Sequence, residues 1–321
     1  MRLSEAHFPN AFSLSVLLLG VFWLAAGAPA MELEADAAPQ GQLRRFLKGR
    51  KSSGGKESSS KAGRSLPSGL TLKRDLAYGK DPAQRIDVYV PDAVKDAPVI
   101  FMVHGGAWMI GDKGNKGVVE NKVKRWAPEG FVFISANYRL CPAADPLEQA
   151  RDVARALAFA QSQAGTFGAD QDRFILMGHS AGAHLVTLIT ADRSLATEEG
   201  ARPWLGTVSL DSAAMDVVSR MKEPHQGFFD KAFGSDPEYW KSTSPLYRLS
   251  QAPPPMLLVC SSRRQNSCQQ ARDFAARASE LGGRAQVLPQ PLSHGQINDN
   301  LGEPSDYTNE VDRFIKSLLK K

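Results

Sequence analysis

The chain has 321 residues, 42% hydrophobic and 23% charged, which is the composition of an ordinary soluble globular protein with room for one large domain or two small ones. Its formal charge of +5 is unevenly placed: ten Lys or Arg stand against the single acid Glu57 from Gly41 to Arg74, one Arg stands against four acids before that, and Asp75 to Lys321 sums to −1. A nearly neutral body, with no basic stripe interleaved with aromatics and no zinc-spaced Cys/His set, excludes a nucleic-acid binder and a zinc module.

The first element is an apolar run, "AFSLSVLLLGVFWLAAGA", from Ala11 to Ala28, behind a short head containing Arg2. Ala28 and Ala30 flank Pro29 in an A-x-A pattern, so residues 1–30 read as a signal peptide cut after Ala30, and the protein as periplasmic or secreted. The alternative is an uncleaved membrane anchor, because the run approaches the ~20 residues that span a bilayer. Residues 31–69 read as a flexible basic linker. The Lys-, Ser- and Gly-rich stretch from Gly41 to Ser68 has too little apolar surface to offset its ordering entropy. Weak association of this linker with anionic surfaces is secondary to its reading as a solvated tether.

From about Leu70 short apolar runs alternate with helical periods. Arg85 to Pro91 ("RIDVYVP") has the period of two expected of a half-exposed strand. Pro98–Gly106, Phe131–Tyr138, Arg173–Gly178, Gly206–Asp211 and Pro255–Cys260 are continuous apolar runs, as strands buried on both faces of a parallel sheet require. Between them, Leu147 to Gln163 places Leu147, Ala150, Val153, Ala154 and Leu157 on one helical face, and Val311, Phe314, Ile315 and Leu318 repeat at helical spacing. Strands alternating with helices predict an α/β fold with a mostly parallel sheet over residues 70–321.

Three motifs carry chemistry. "GHSAG", Gly178 to Gly182, stands between a buried strand and the apolar run "AHLVTLIT". A sharp strand-to-helix turn there would lift Ser180 out of the sheet as a nucleophile, and only glycines tolerate the crowding on either side. "HGGAW", His104 to Trp108, ends another strand. The backbone N–H groups of Gly105 and Gly106, with that of Ala181, form a candidate oxyanion hole because no side chain shields them. A base is expected after the last strand, and His294 is the one histidine after His225. His104 reads as a residue that holds its loop by hydrogen bonding, and His179 and His184 as packing residues. Cys260 and Cys268, eight positions apart, can close a disulfide in an oxidising compartment and leave Cys141 over; three separate thiols are the alternative.

"HGGAW", "NYRL", "GHSAG" and "SHG" follow one another in the order and spacing of α/β-hydrolase carboxylesterases. From about Leu70 onward the chain resembles the branch with hormone-sensitive-lipase-like, feruloyl and acetyl esterases and arylformamidases, and "HGGAW…GDK" looks most like the last groups. The resemblance implies an eight-stranded sheet in a single catalytic domain, acyl transfer from a small-molecule ester through Ser180, and no cofactor or metal; an arylformamidase-like amide hydrolase and a non-catalytic binding protein on the same fold are the alternatives. It implies nothing about oligomeric state.

One departure matters. In that family the acid follows the strand represented here by "PMLLVC", yet Ser261 to Ser267 contain no carboxylate. Asp211 ends the preceding strand on the same sheet edge and is the leading candidate. Asp216 and the neutral amide of Asn266 are the alternatives, and Asp211 as a mere helix cap is a further one.

Overall fold

In the computed structural model of the protein, which describes residues 68–320, the apolar runs assemble into one eight-stranded sheet. The expected signal peptide and nearly all of the basic linker lie outside the described residues. The strands are β1 (Leu70–Ala77), β2 (Arg85–Pro91), β3 (Ala97–Val103), β4 (Val132–Ala136), β5 (Ala169–His179), β6 (Gly206–Leu210), β7 (Met256–Ser261) and β8 (Ala285–Gln290). Their order is β1-β2-β4-β3-β5-β6-β7-β8; β2 runs antiparallel to β1 and β4, and every other pairing is parallel.

Eleven α-helices are described: α1 (Lys116–Trp126), α2 (Pro146–Ser162), α3 (Ala181–Ala191), α4 (Ser194–Thr197), α5 (Val217–Lys222), α6 (Phe228–Phe233), α7 (Pro237–Ser242), α8 (Pro245–Arg248), α9 (Gln265–Glu280), α10 (His294–Asp299) and α11 (Asp306–Leu318). None is long and apolar enough to cross a membrane.

Alternation along each strand divides the core. Phe101 and Val103 of β3 face α2 and α3, whereas Ile100 and Met102 face α1 and α11. α3 is buried at every position, which explains why "AHLVTLIT" is apolar all round. Its two threonines meet β6 through hydroxyl pairs, Thr187 with Ser209 at 3.1 Å and Thr190 with Thr207 at 2.9 Å. Helices α5–α8 form a cap between β6 and β7. The Trp108 ring fastens it, lying 4.8 Å from Phe233 and 5.6 Å from Phe229.

The expectation of a half-exposed β2 is not met. β1 covers its outer edge, and Asp87 at a nominally polar position is 1% exposed. The Lys113 ammonium, 3.1 Å away, compensates the carboxylate, and the Asp75 N–H donates to it at 2.8 Å. The alternating pattern reflected a buried ion pair rather than solvent. A second buried lysine ties α1 to α10. Lys122 is fully buried and donates to the carbonyls of Gly117 (2.8 Å) and Asn298 (2.7 Å) and to Asn298 Oδ1 (3.1 Å). Burial pushes its ammonium down to about 7, against an opposing pull from Asp299.

Lys113→Met should leave Asp87 buried without its main counter-charge and cost about 3 kcal/mol in chemical denaturation; a loss under 1 kcal/mol would mean that water reaches the site. Lys122 gives a pH test. Below pH 7 the lysine is charged in both folded and unfolded chains. Between about 7 and 10 the unfolded chain holds the proton that the folded chain has lost, so stability rises with pH. Relative to Lys122→Met, wild-type stability should climb by up to about 1.4 kcal/mol per pH unit across that window. A flat difference would show that the three oxygen acceptors keep the ammonium charged.

Candidate active site

β5 ends at His179 and α3 begins at Ala181, so Ser180 alone makes the turn, with φ 56° and ψ −118°. A side chain at positive φ costs on the order of 1–3 kcal/mol and persists only where the surroundings enforce it. Here they do. A Cβ on Gly178 would run into the Gly182 carbonyl, and one on Gly182 into the carbonyls of Val103 and His104. The β5–α3 junction therefore closes tightly only with glycine at both places, and it pushes Ser180 up at the sheet edge.

The "HGG" loop lies against this turn. A Cβ on Gly105 would sit 2.8 Å from Ser180 Cβ, and Gly106 has φ 130°, a backbone that favours glycine. The N–H groups of Gly105, Gly106 and Ala181 have no protein acceptor among the described residues. His104 does hold the loop. Its Nδ1–H donates to the Gly105 carbonyl at 2.8 Å, its own carbonyl accepts from Tyr138 Oη, and burial lowers its basicity.

His294 opens α10, fixed by a capping box in which Ser293 Oγ accepts from Gln296 N–H and the Gln296 side chain accepts from Ser293 N–H. Its Nε2 lies 2.9 Å from Ser180 Oγ and its Nδ1 lies 2.6 Å from Asp211 Oδ2. Of the candidate acids, the structure brings Asp211 to the imidazole. Asp216 instead caps α5 by accepting from Ser219 N–H at 2.9 Å, and Asn266 donates to Glu223 at 3.3 Å.

Asp211 is fully buried and, like Ser180, has φ 56°. Burial alone would raise its pKa. The hydrogen bond from His294, the Arg264 charge and the Ser261 N–H (2.8 Å to Oδ1) overcome this and hold the carboxyl well below the usual carboxylate range. Ser267 Oγ–H also donates to Oδ1. With Asp211 ionised, Nδ1 of His294 carries the proton, and Nε2 is free to accept from the Ser180 hydroxyl.

The "CSSRRQNSC" stretch has no acid of its own, and its sequence does not reveal what it holds, a set of donors for one. Ser261, Arg264 and Ser267 all donate to the acid one strand away, and Arg264 Nη1 reaches Asp211 Oδ2 at 2.7 Å. Cys260 and Cys268 clamp this loop with a disulfide, Cα atoms 5.1 Å apart, while Cys141 is free. His179 packs as expected, 4.6 Å from the His294 ring, but its Nε2–H also donates to the His294 carbonyl at 2.9 Å. Burial, reinforced by the neighbouring imidazole, keeps it neutral. His184 is likewise neutral, burial pushing it down to about 4, and it links Trp108 of the "HGGAW" loop to the Thr243 carbonyl of the cap. Among the described residues no group of three or more His, Cys, Asp or Glu side chains is placed to hold a metal ion.

Similarity to known proteins agrees with this geometry. Esterase LipC of Mycobacterium tuberculosis is 30% identical over 234 residues, 67% of this chain and 57% of LipC. The isoprenylcysteine alpha-carbonyl methylesterase ICME of Arabidopsis thaliana is 26% identical over 68% of this chain and 55% of its own. The chain thus spans about half the length of these relatives. Among solved structures, esterase B of Lactobacillus Rhamnosis superposes with a TM-score of 0.65 at 20% identity, covering 87% of this chain and 92% of that one. A carbohydrate esterase from gut microbiota gives 0.66 at 18% identity, over 78% and 97%. These likenesses establish the α/β-hydrolase fold. The family model BD-FAE matches residues 86–277, more than half of the chain, from the second residue of β2 to beyond β7, and the protein belongs to that family.

Proposed function

We propose that the protein is an exported serine carboxylesterase that hydrolyses small acyl esters, aryl or carbohydrate esters included, through an acyl-enzyme. The observation that carries this reading is the relay from Ser180 Oγ to His294 Nε2 and from His294 Nδ1 to Asp211, at 2.9 and 2.6 Å. Ser180 Oγ attacks the ester carbonyl carbon while His294 Nε2 takes the hydroxyl proton. The carbonyl oxygen becomes an oxyanion, and the N–H groups of Gly105, Gly106 and Ala181 receive it. The C–O bond to the alcohol breaks and the alcohol leaves with the proton from His294. Water then attacks the acyl carbon with His294 again as base, releasing the acid and restoring Ser180. Asp211 fixes the tautomer throughout and stabilises the imidazolium. Export is supported by the apolar N-terminal run and by the Cys260–Cys268 disulfide, since such bonds persist in oxidising compartments.

A fluorophosphonate probe should label Ser180 alone. Ser180→Ala should lose at least ~10³-fold in kcat on p-nitrophenyl acetate, with residual rate from the oxyanion donors; retention of more than a tenth of wild-type activity would mean that another nucleophile operates. Asp211→Asn should lose between ~10² and ~10⁴ in kcat with little change in KM. Asp216→Asn and Asn266→Ala should each cost less than about tenfold, because neither touches the imidazole. The opposite ranking would move the acid elsewhere. Non-reducing peptide mapping of exported protein should recover the Cys260 and Cys268 peptides joined and Cys141 free. Both alkylated would remove the clamp, and with it the support it lends to export.

A further inference from the structure

Beside the relay lies a cavity of about 390 Å³ between the sheet edge and the cap, walled by Arg220, Pro224, His225, Phe229 and Arg264. With Ala213 and Gln226 these complete a lining of seven residues, three of them basic, and among the described residues no carboxylate lines the cavity. Each basic residue has a carboxylate partner outside the lining: Arg264 pairs with the buried Asp211, and the partners of the other two are exposed. Glu223, 3.4 Å from Arg220, and Asp230, 3.0 Å from His225, have side chains 50% and 64% exposed.

Both guanidinium groups keep donors in reserve. The Arg264 guanidinium makes its hydrogen bonds through Nη1, both to Asp211, leaving Nε and Nη2 without a partner among the described residues. Arg220 is bonded through Nη2 to the Pro224 carbonyl, which leaves Nη1 without a hydrogen-bond partner among the described residues; its Nε, also unpartnered among them, is buried. The unpaired edge of Arg264, with Nε and Nη2 side by side, suits a carboxylate, and Arg220 Nη1 can add a further donor. The Phe229 ring beneath Arg220, 5.7 Å from its guanidinium carbon, supplies an apolar wall for the rest of a small molecule.

Arg264 serves Asp211, but its position also places a positive charge beside the base. Its Nη1 lies 2.9 Å from His294 Nδ1, so its charge opposes the imidazolium that forms during acyl transfer. An anion seated on its free edge would offset that charge. We infer that this cavity receives a carboxylate of the substrate, and that the protein acts on esters carrying one. This rests on the esterase reading above and names its substrate class. Because the anion relieves Arg264 while the imidazolium forms, part of the gain belongs to kcat and not only to KM.

The test uses two acid and methyl-ester pairs, followed by pH-stat as initial rates: 4-acetoxybenzoate against its methyl ester, with the carboxylate on the leaving group, and monomethyl adipate against dimethyl adipate, with it on the acyl group. In at least one pair the anionic member should be favoured about tenfold or more in kcat/KM, with a rise in kcat. The pair that shows it identifies the half of the substrate that the cavity holds. In Arg220→Gln and Arg264→Gln that ratio, which cancels any general loss of activity, should fall to about one or below. Arg220→Gln keeps the test decisive if Arg264→Gln does not fold. A preference for the neutral member in both pairs, or an unchanged ratio in Arg220→Gln, overturns the inference while Ser180-dependent hydrolysis leaves the esterase reading intact. Calorimetry on Ser180→Ala separates the two further. Tighter binding of 4-acetoxybenzoate than of its methyl ester, without hydrolysis by wild type, would retain the anion cavity and sink the esterase reading; equal binding would sink the cavity.

Discussion

A carboxylate with no contact to water, Asp211, is the constraint around which this end of the molecule is organised. An ionised acid is tolerable in such a place only if every lone pair finds a donor. The chain provides donors from three directions: Ser261 and Ser267 on Oδ1, His294 and Arg264 on Oδ2. Each bond to the charged oxygen is worth about 1.5–3 kcal/mol, and losing any one leaves a buried charge partly unmet. The disulfide that closes the Ser261–Ser267 stretch therefore acts on the acid, though it touches no atom of it.

The sheet supplies the geometry and the backbone absorbs the strain. Ser180 and Asp211 end neighbouring parallel strands, and both sit at φ 56°, where side chains are disfavoured. Each is held there from the strand beside it. Ser180 N–H bonds to the Leu210 carbonyl at 3.0 Å, and Asp211 N–H bonds to that of Val259 at 2.8 Å. The same step repeated from β5 to β6 to β7 turns two strand ends toward a common point, where the helix after β8 brings His294.

Much of this was legible in the residues because it depends on local chemistry. Glycines at 178 and 182, a serine between them and apolar runs on either side leave few other structures possible, and β3 to β7 appear near their expected limits. Burial was harder to read. Asp87 looked solvent-facing because its partner, Lys113, comes from a loop 26 residues later, and β1, with its mixed polar pattern on an edge, gave no clear period. The donors around Asp211 were hidden for the same reason. Serine and arginine in a loop are common, and only the three-dimensional crossing of β6 and β7 makes them partners of one carboxylate. The departure from the family pattern did carry a signal, since a loop without an acid but rich in donors suits an acid held elsewhere.

The sheet order has a consequence for how the molecule fails. Among the described residues β8 is an edge strand, paired only with β7, and it carries Pro289, a residue that edges accept because it has no N–H to offer a further strand. His294 follows four residues after β8 ends, while Ser180 and Asp211 sit at interior strands. Local opening at an edge requires less free energy than global unfolding, and this edge carries one of the three groups of the relay. Heat or denaturant would therefore separate the imidazole from the hydroxyl in molecules whose central sheet is still intact, so that loss of activity precedes loss of the fold.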